Sequence, residues 1–198
     1  MNAAERLGKR ADALMNRTRL LQAAQESFAQ AGLDLEVNDI ISQVQMGVGT
    51  FYRHFGSREN LLRAIVAQTL EDAHAQISQA IEPYGDDPRA ALQALVTVQL
   101  QVYQRYRPLF ATMRDRRLTK LFDAAQREAL YALVLDPPRR VIEQGMQAEV
   151  FRQDLHRDLA AALIIGSFTS VFDLLGDNYP FEELEQQLFQ SLWTMLTK

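Results

Sequence analysis

Apolar positions recur every three to four residues along nearly the whole chain, the spacing of helices that bury one stripe. Leu20, Ala23, Ala24, Ser27, Phe28 and Ala31 form the first stripe, and Gly32 stands where a helix end favours a left-handed residue. A short segment follows with Val37, Ile40, Ile41 and Val44 on one face. Gln45, Met46 and Gly47 interrupt it, and Val48 to Phe55 reads as a second short helix. Gly56 breaks the pattern, and Ser57 is placed to cap a longer helix through Leu61, Leu62, Ile65, Leu70 and Ile77. Pro83 to Pro88 is the clearest break in the middle of the chain. Beyond it, helical stripes run over 91–106, 109–113, 118–135 and 141–146, and Asp136-Pro137 predicts a new helix through an N-cap followed by a first-turn proline. Helices over 158–175 and 181–197 finish the chain. No segment alternates with a period of two between turn pairs, so no strand is predicted and the expected fold is all-α.

Composition narrows the chemistry. With no cysteine among 198 residues, disulfides, thiolate zinc sites and Cys nucleophiles are excluded. A chain this long buries enough surface to fold without a metal or a covalent staple. The first residues mix charge with alanine and do not resemble a secretory signal. The longest run free of ionisable residues, Leu159 to Phe172, is shorter than the roughly 20 residues a membrane-spanning helix needs. A helix apolar all round is expected to bury itself against other helices or a second subunit. A cytoplasmic protein with no membrane contact is the expectation. Residues 1–65 hold eight basic and seven acidic groups, a difference of +1, which leaves −5 for the remainder of a chain whose net charge is −4. Within that part, residues 1–20 and 48–63 are the positive stretches, and they point one end of the molecule at an anion.

Two short helices joined by a tight turn, with longer helices on either side, form a helix-turn-helix pattern. Its second helix must show apolar groups to the core and small or hydrogen-bonding groups to a major groove. In Val48-Gly49-Thr50-Phe51-Tyr52-Arg53-His54-Phe55, Phe51 and Phe55 are four apart and anchor inward. Thr50, Arg53 and His54 share the other side with Tyr52 at its border, and all four can donate to phosphates or base edges. Gly47 and Gly49 leave the N-terminal N–H groups of this helix uncrowded.

The stretches RTRLLQAAQESFAQAG and VNDIISQVQMGVGTFYRHFGSRENLL resemble the N-terminal domain of the TetR family of transcriptional repressors over about the first third of the chain. The Gly49-Thr50-Phe51-Tyr52-x-His54-Phe55 core and the Ser57-Arg58-Glu59 start of the next helix carry the likeness. GMQAEVFRQDLHRDLAAALIIGSFTSVF resembles a passage entering the family's dimer-forming penultimate helix. The resemblance implies that Thr50, Tyr52 and His54 meet phosphates and that Val48, Gly49 and Arg53 lie nearest base edges. It also implies that Arg58, with Arg17 or Thr18, clamps flanking phosphates. The chain departs from the family pattern at Gln45, where Gly is usual in the turn, at Ile41 and Val44, where Ala is usual, and at Glu36, where Ser or Thr caps.

Competing readings are weaker. Glu71 and His74 form one Glu-x-x-His, whereas a di-metal bundle needs two. Asp154, His156 and Asp158 lie just before a helix, where acidic capping is ordinary. Gly47-x-Gly49 follows no strand and lacks the later glycine of a nucleotide fingerprint. Arg114, Arg116 and Arg117 read as a solvated face or an anionic-effector contact, and no Ser/His/Asp set suggests an enzyme.

The expectation is a three-helix DNA-binding head (1–55), a connecting helix (56–82) and a helical ligand-binding and dimerisation body (83–198). Its partners are double-stranded palindromic operator DNA, a second copy in a homodimer, and a small-molecule effector whose binding releases the operator; no metal or cofactor is expected. The aromatic and Met residues Tyr103, Tyr106, Phe110, Met113, Phe168 and Phe172 would line the effector pocket. The altered Ile41, Val44 and Gln45 motivate one alternative, a head that no longer reads DNA and works through partner proteins. A helical metal enzyme built on His74 or His156 is the other.

Overall fold

Helix ends follow capping chemistry in the computed structural model, which describes residues 15–28, 32–107, 110, 120–175 and 178–197. Its helices are α1 (15–28), α2 (Val37–Gln43), α3 (Val48–Phe55), α4 (Arg58–Ile81), α5 (Pro88–Arg105), α6 (Ala124–Gln147), α7 (Arg157–Leu174) and α8 (Phe181–Thr197). No strand occurs among the described residues. Ser57 caps α4 by accepting from the Asn60 amide at 3.2 Å. Asp87 caps α5 through the amides of Arg89 and Ala90, with Pro88 as first helical residue. Asp123 and Gln126 bond each other's amides in a reciprocal capping box that opens α6.

Two predicted boundaries are wrong. The helical stripe expected over 118–135 starts too early, because 120–123 form a turn and α6 begins at Ala124 behind its Asp123 cap. Asp136-Pro137 does not begin a helix; α6 runs unbroken through Pro137 and Pro138, both buried. Asp136 does not cap, because its carboxylate faces His74 of α4 at 2.9 Å and the Arg140 guanidinium at 3.2 Å. A proline inside a helix removes one backbone bond and crowds the carbonyl four residues back. Here the surrounding burial, with Val141 and Ile142 fully buried one turn later, outweighs that penalty. The stripe expected over 109–113 lies outside the described residues apart from Phe110.

Two apolar cores result. The head core joins Leu20, Ala24 and Phe28 of α1, Ile40 and Ile41 of α2, Phe51 and Phe55 of α3, Leu61 to Leu70 of α4, and Phe122. The body core joins Ala73 to Ile81 of α4 with α5, the second half of α6, α7 and α8. The connecting helix α4 therefore belongs to both, its first half to the head and its second to the body. Arg63 on α4 adds a polar tie by donating to the Leu121 carbonyl. None of the described helices is long and apolar enough to cross a membrane.

Candidate nucleic-acid interface

The site begins with the turn that holds α3. Gln45 lies in the left-handed region at φ +54°, the conformation glycine would adopt without strain. Ile41 and Val44 are buried in the head core, so the bulkier side chains are accommodated between α2 and α3. Glu36 occupies the α2 cap position with extended backbone and makes no side-chain cap bond. Two side chains brace this region from outside. Arg19 donates to the Val44 carbonyl at 3.4 Å, and Arg58 donates from Nε to the Leu35 carbonyl at 3.2 Å. The opposite end of α3 is closed by Gly56 at φ +74° and by Asn60, whose amide donates to the Phe55 carbonyl at 2.8 Å.

Within α3, Phe51 and Phe55 are buried. Arg53 and Gly49 fall on the diametrically opposite side of the helix and are exposed. Val48 and Tyr52 are 51% and 56% exposed, unusually open for side chains that lose free energy in water. The Tyr52 ring is fixed edge-on against Phe51, with centroids 5.2 Å apart. Thr50 and His54 are half-buried at the border. The ideal Cβ positions at Gly47 and Gly49 meet no atom within 4 Å, so the α3 N-terminus opens to solvent. Among the described residues, none covers Val48, Gly49, Tyr52 and Arg53.

Electrostatics reinforce that face. Arg17, exposed on α1, lies over the Phe55 ring at 5.4 Å and so stands at the C-terminal end of α3. Thr18 is exposed beside it. Burial, then the nearby Arg53 and Arg17 charges, hold the His54 imidazole below its ordinary value of 6.5. His54 is therefore neutral at pH 7, and its Nε2 is buried with no hydrogen-bond partner among the described residues. The structure thus brings Val48, Gly49, Thr50, Tyr52, Arg53, His54 and Arg17 to one end of the head. Arg58 also serves the scaffold through Leu35. Sequence reasoning overlooked Arg19 and Asn60; an Arg one turn into α1 and an Asn just past a helix-ending Gly carry no distinctive spacing.

The candidate effector residues divide. Tyr103 and Phe110 line a narrow cavity of about 20 Å³ together with Leu70, Leu133 and Val134, and His74 and Gln99 supply its polar groups. Phe168 and Phe172 do not line it; they continue a stack of near-parallel rings behind Tyr103. Tyr106 faces a different cleft, beside Arg17, Thr18 and Arg105. Met113 lies outside the described residues, as do Arg114, Arg116 and Arg117. Gln99 was legible in principle: it is a polar residue on the buried stripe of Leu92, Leu95, Val96, Leu100 and Tyr103.

The side chains of the Asp154, His156 and Asp158 metal reading have other partners. His156 caps α7 through Nδ1, and Asp158 meets Arg139 at 2.8 Å. A hydrogen bond from Arg152 holds the Asp154 carboxyl below the usual carboxylate range. No group of three or more potential ligands is placed to hold a metal ion among the described residues.

Residues 20–65 match the profile described as "Bacterial regulatory proteins, tetR family". The chain is 31% identical over 150 residues to the HTH-type transcriptional repressor KstR2 of Rhodococcus jostii, covering 73% of this chain and 72% of that protein. A solved protein of unknown function from Rhodococcus sp. RHA1 shares the fold at TM-score 0.78 and 20% identity, over 92% of this chain and 96% of that one. The fatty acid degradation regulator FadR of Bacillus halodurans does so at 0.75 and 18%, over 90% and 94%.

Proposed function

The chain belongs to the TetR family of bacterial regulatory proteins and is a DNA-binding transcriptional regulator, and we propose that it is a homodimeric repressor that leaves a palindromic operator when a small molecule enters its body. One observation carries the DNA-reading half of this proposal. The face of α3 opposite its buried Phe51–Phe55 pair exposes Arg53 and Gly49, flanked by the open side chains of Val48 and Tyr52. We assign Val48, Gly49 and Arg53 to base edges in the major groove. Thr50, Tyr52 and His54 go to phosphates, and Arg17, Thr18 and Arg58 clamp the flanking backbone.

The dimer face we propose is α7. Its exposed residues Leu159, Leu163, Gly166, Ser170 and Leu174 fall in one stripe, apolar or small throughout and uncovered within a single chain. Pairing this stripe with a second copy about a twofold axis presents two α3 helices to one side of a duplex. The body spans 83–198 and houses the effector; a ligand shifts the spacing of the heads only through its differential affinity for the two spacings.

The test is operator affinity of variants whose dimers are verified by light scattering. Arg53→Ala is expected to lose about 1–3 kcal/mol and to relax base preference at one position of each half-site. Tyr52→Ala is expected to weaken binding uniformly across sequences. Undiminished affinity in both would overturn the assignment.

A further inference from the structure

The turn between α2 and α3 is pinned at three carbonyls. The amide of Gln45 donates to the Ser42 carbonyl at 3.2 Å and that of Met46 to the Ile41 carbonyl at 3.1 Å, the paired bonds that end a helix through a left-handed residue. Arg19 holds the Val44 carbonyl from α1. Glycine takes the left-handed position without strain, whereas Gln45 at φ +54° does not. None of these bonds uses the Gln45 side chain, which is exposed and makes no hydrogen bond or ion pair among the described residues. Its polar neighbours are engaged: the Ser42 hydroxyl donates to the Asn38 carbonyl, and the Gln43 carboxamide to the Glu26 carboxylate.

Strain alone does not mark a function. The turn after α6 repeats this geometry in the body, with Glu149 at φ +56°. There the Glu149 amide bonds the Met146 carbonyl and the Val150 amide the Gly145 carbonyl. What sets Gln45 apart is its place. It stands two residues, at most about 7 Å of chain, before Gly47, the N-cap of α3.

That end of α3 is open but poor in hydrogen-bonding groups. The exposed positions of its first turn are Val48 and Gly49, and neither has a side chain that can form a hydrogen bond; Thr50 is half-buried. Cβ positions at Gly47 and Gly49 meet nothing within 4 Å, so the space over this end is clear. A hydrogen-bonding side chain for a base there has to come from outside the helix, and Gln45 is the unpartnered polar residue nearest to it along the chain. A carboxamide carries a donor and an acceptor together, which matches N7 and N6 of adenine on the major-groove edge; to a phosphate it offers its donor alone. We infer that Gln45 reads an adenine in each half-site at the N-terminal end of α3, at a different base pair from that met by Arg53. The inference rests on the DNA-reading assignment of α3 and adds to it a residue outside that helix.

The test uses full-length protein and duplexes selected from a random pool. The Gln45→Gly protein is expected to unfold at higher urea, its turn relieved. It should nevertheless bind the selected operator about tenfold more weakly, within the worth of one bidentate base contact. Its own selected sequence should turn degenerate at one A·T pair of each half-site, distinct from the pair relaxed by Arg53→Ala. The slope of log affinity against log salt should not change, because no phosphate contact is lost. Replacing the adenine by 7-deazaadenine removes N7 and keeps base pairing. That change should cost the native protein about tenfold and the Gln45→Gly protein nothing further. Glu149→Gly should raise stability alike and leave operator affinity unchanged.

Equal weakening by Gln45→Gly on every sequence, the mark of a phosphate contact, would overturn the inference. So would unchanged base preference, an equal 7-deazaadenine loss in both proteins, or an operator loss in Glu149→Gly that matches that of Gln45→Gly. If Arg53→Ala relaxes its position and Gln45→Gly relaxes none, the inference fails and the assignment of α3 stands. If the native protein enriches no sequence, that assignment fails and the inference with it.

Discussion

At the scale of single residues, one strained backbone position and one half-buried imidazole belong to the turn before the recognition helix and to that helix itself. Gln45 is held at φ +54° in the turn that sets the angle between α2 and α3. A side chain there costs on the order of 1 kcal/mol. Gln45→Gly is therefore expected to stabilise the protein by about that amount in denaturant unfolding; a loss of stability would mean that the Gln side chain contributes contacts beyond its backbone. His54 makes a second prediction with a definite sign. Its folded-state pKa is lowered by burial and by Arg53 and Arg17, whereas the unfolded chain titrates near 6.5. Between those values the unfolded state holds more protons, so stability rises with pH and is lost as pH falls through the ordinary imidazole range. Melting curves from pH 5 to 7 should show a slope in the native protein that His54→Gln flattens. An unchanged slope would assign the effect elsewhere.

At the scale of elements, the helix boundary was legible where the cap stood beside a clear gap in the stripe, as at Ser57; the break over Pro83–Pro88 was legible too, but the stripe was read only from 91, three residues after the Asp87 cap and Pro88 open α5. The Asp123–Gln126 box was not seen, because apolar residues from Leu118 onward continue the stripe past it. Asp136-Pro137 reads locally as a start signal, yet burial of the two prolines and of the turn after them, with the His74 contact, holds α6 together; local chemistry there is overridden by tertiary packing. The end of α6 follows the same logic. Gly145 sits under the fully buried Phe151 ring, and a Cβ at that position would fall 2.0 Å from a ring carbon. The Gly145 carbonyl also accepts from the amides of Val150 and Phe151, fixing the turn that brings the ring back. Gly145→Ala is expected to destabilise by about 1–3 kcal/mol, the usual result of overfilling a packed core, as measured in urea. A neutral outcome would show that the loop after α6 yields freely.

At the scale of the whole molecule, the α3 residues proposed to face DNA were legible because one eight-residue helix carries both its buried anchor and its exposed face in consecutive sequence. The small cavity beneath the head was not, because its walls come from α4, α5 and α6, and no sequence spacing brings His74, Gln99 and Leu133 together. The exposed stripe of α7 stood between these cases: a run too apolar for a surface helix and too short for a membrane left a partner subunit as its natural cover. Leu163→Glu would bury two carboxylates near one twofold axis, each costing several kcal/mol unpaired, and should weaken dimerisation by about two orders of magnitude or more. Sedimentation that returned an unperturbed dimer would move the interface off α7. The reading of the molecule turns on whether two α3 helices act together on DNA. Selection of bound duplexes from a random pool, followed by affinity for the winner across a salt series, measures this directly. The account predicts an enriched palindrome with half-sites about one helical turn or a multiple apart, and affinity that falls steeply and linearly in log–log form with salt. An enriched sequence without twofold symmetry, or no enrichment at all, would contradict it.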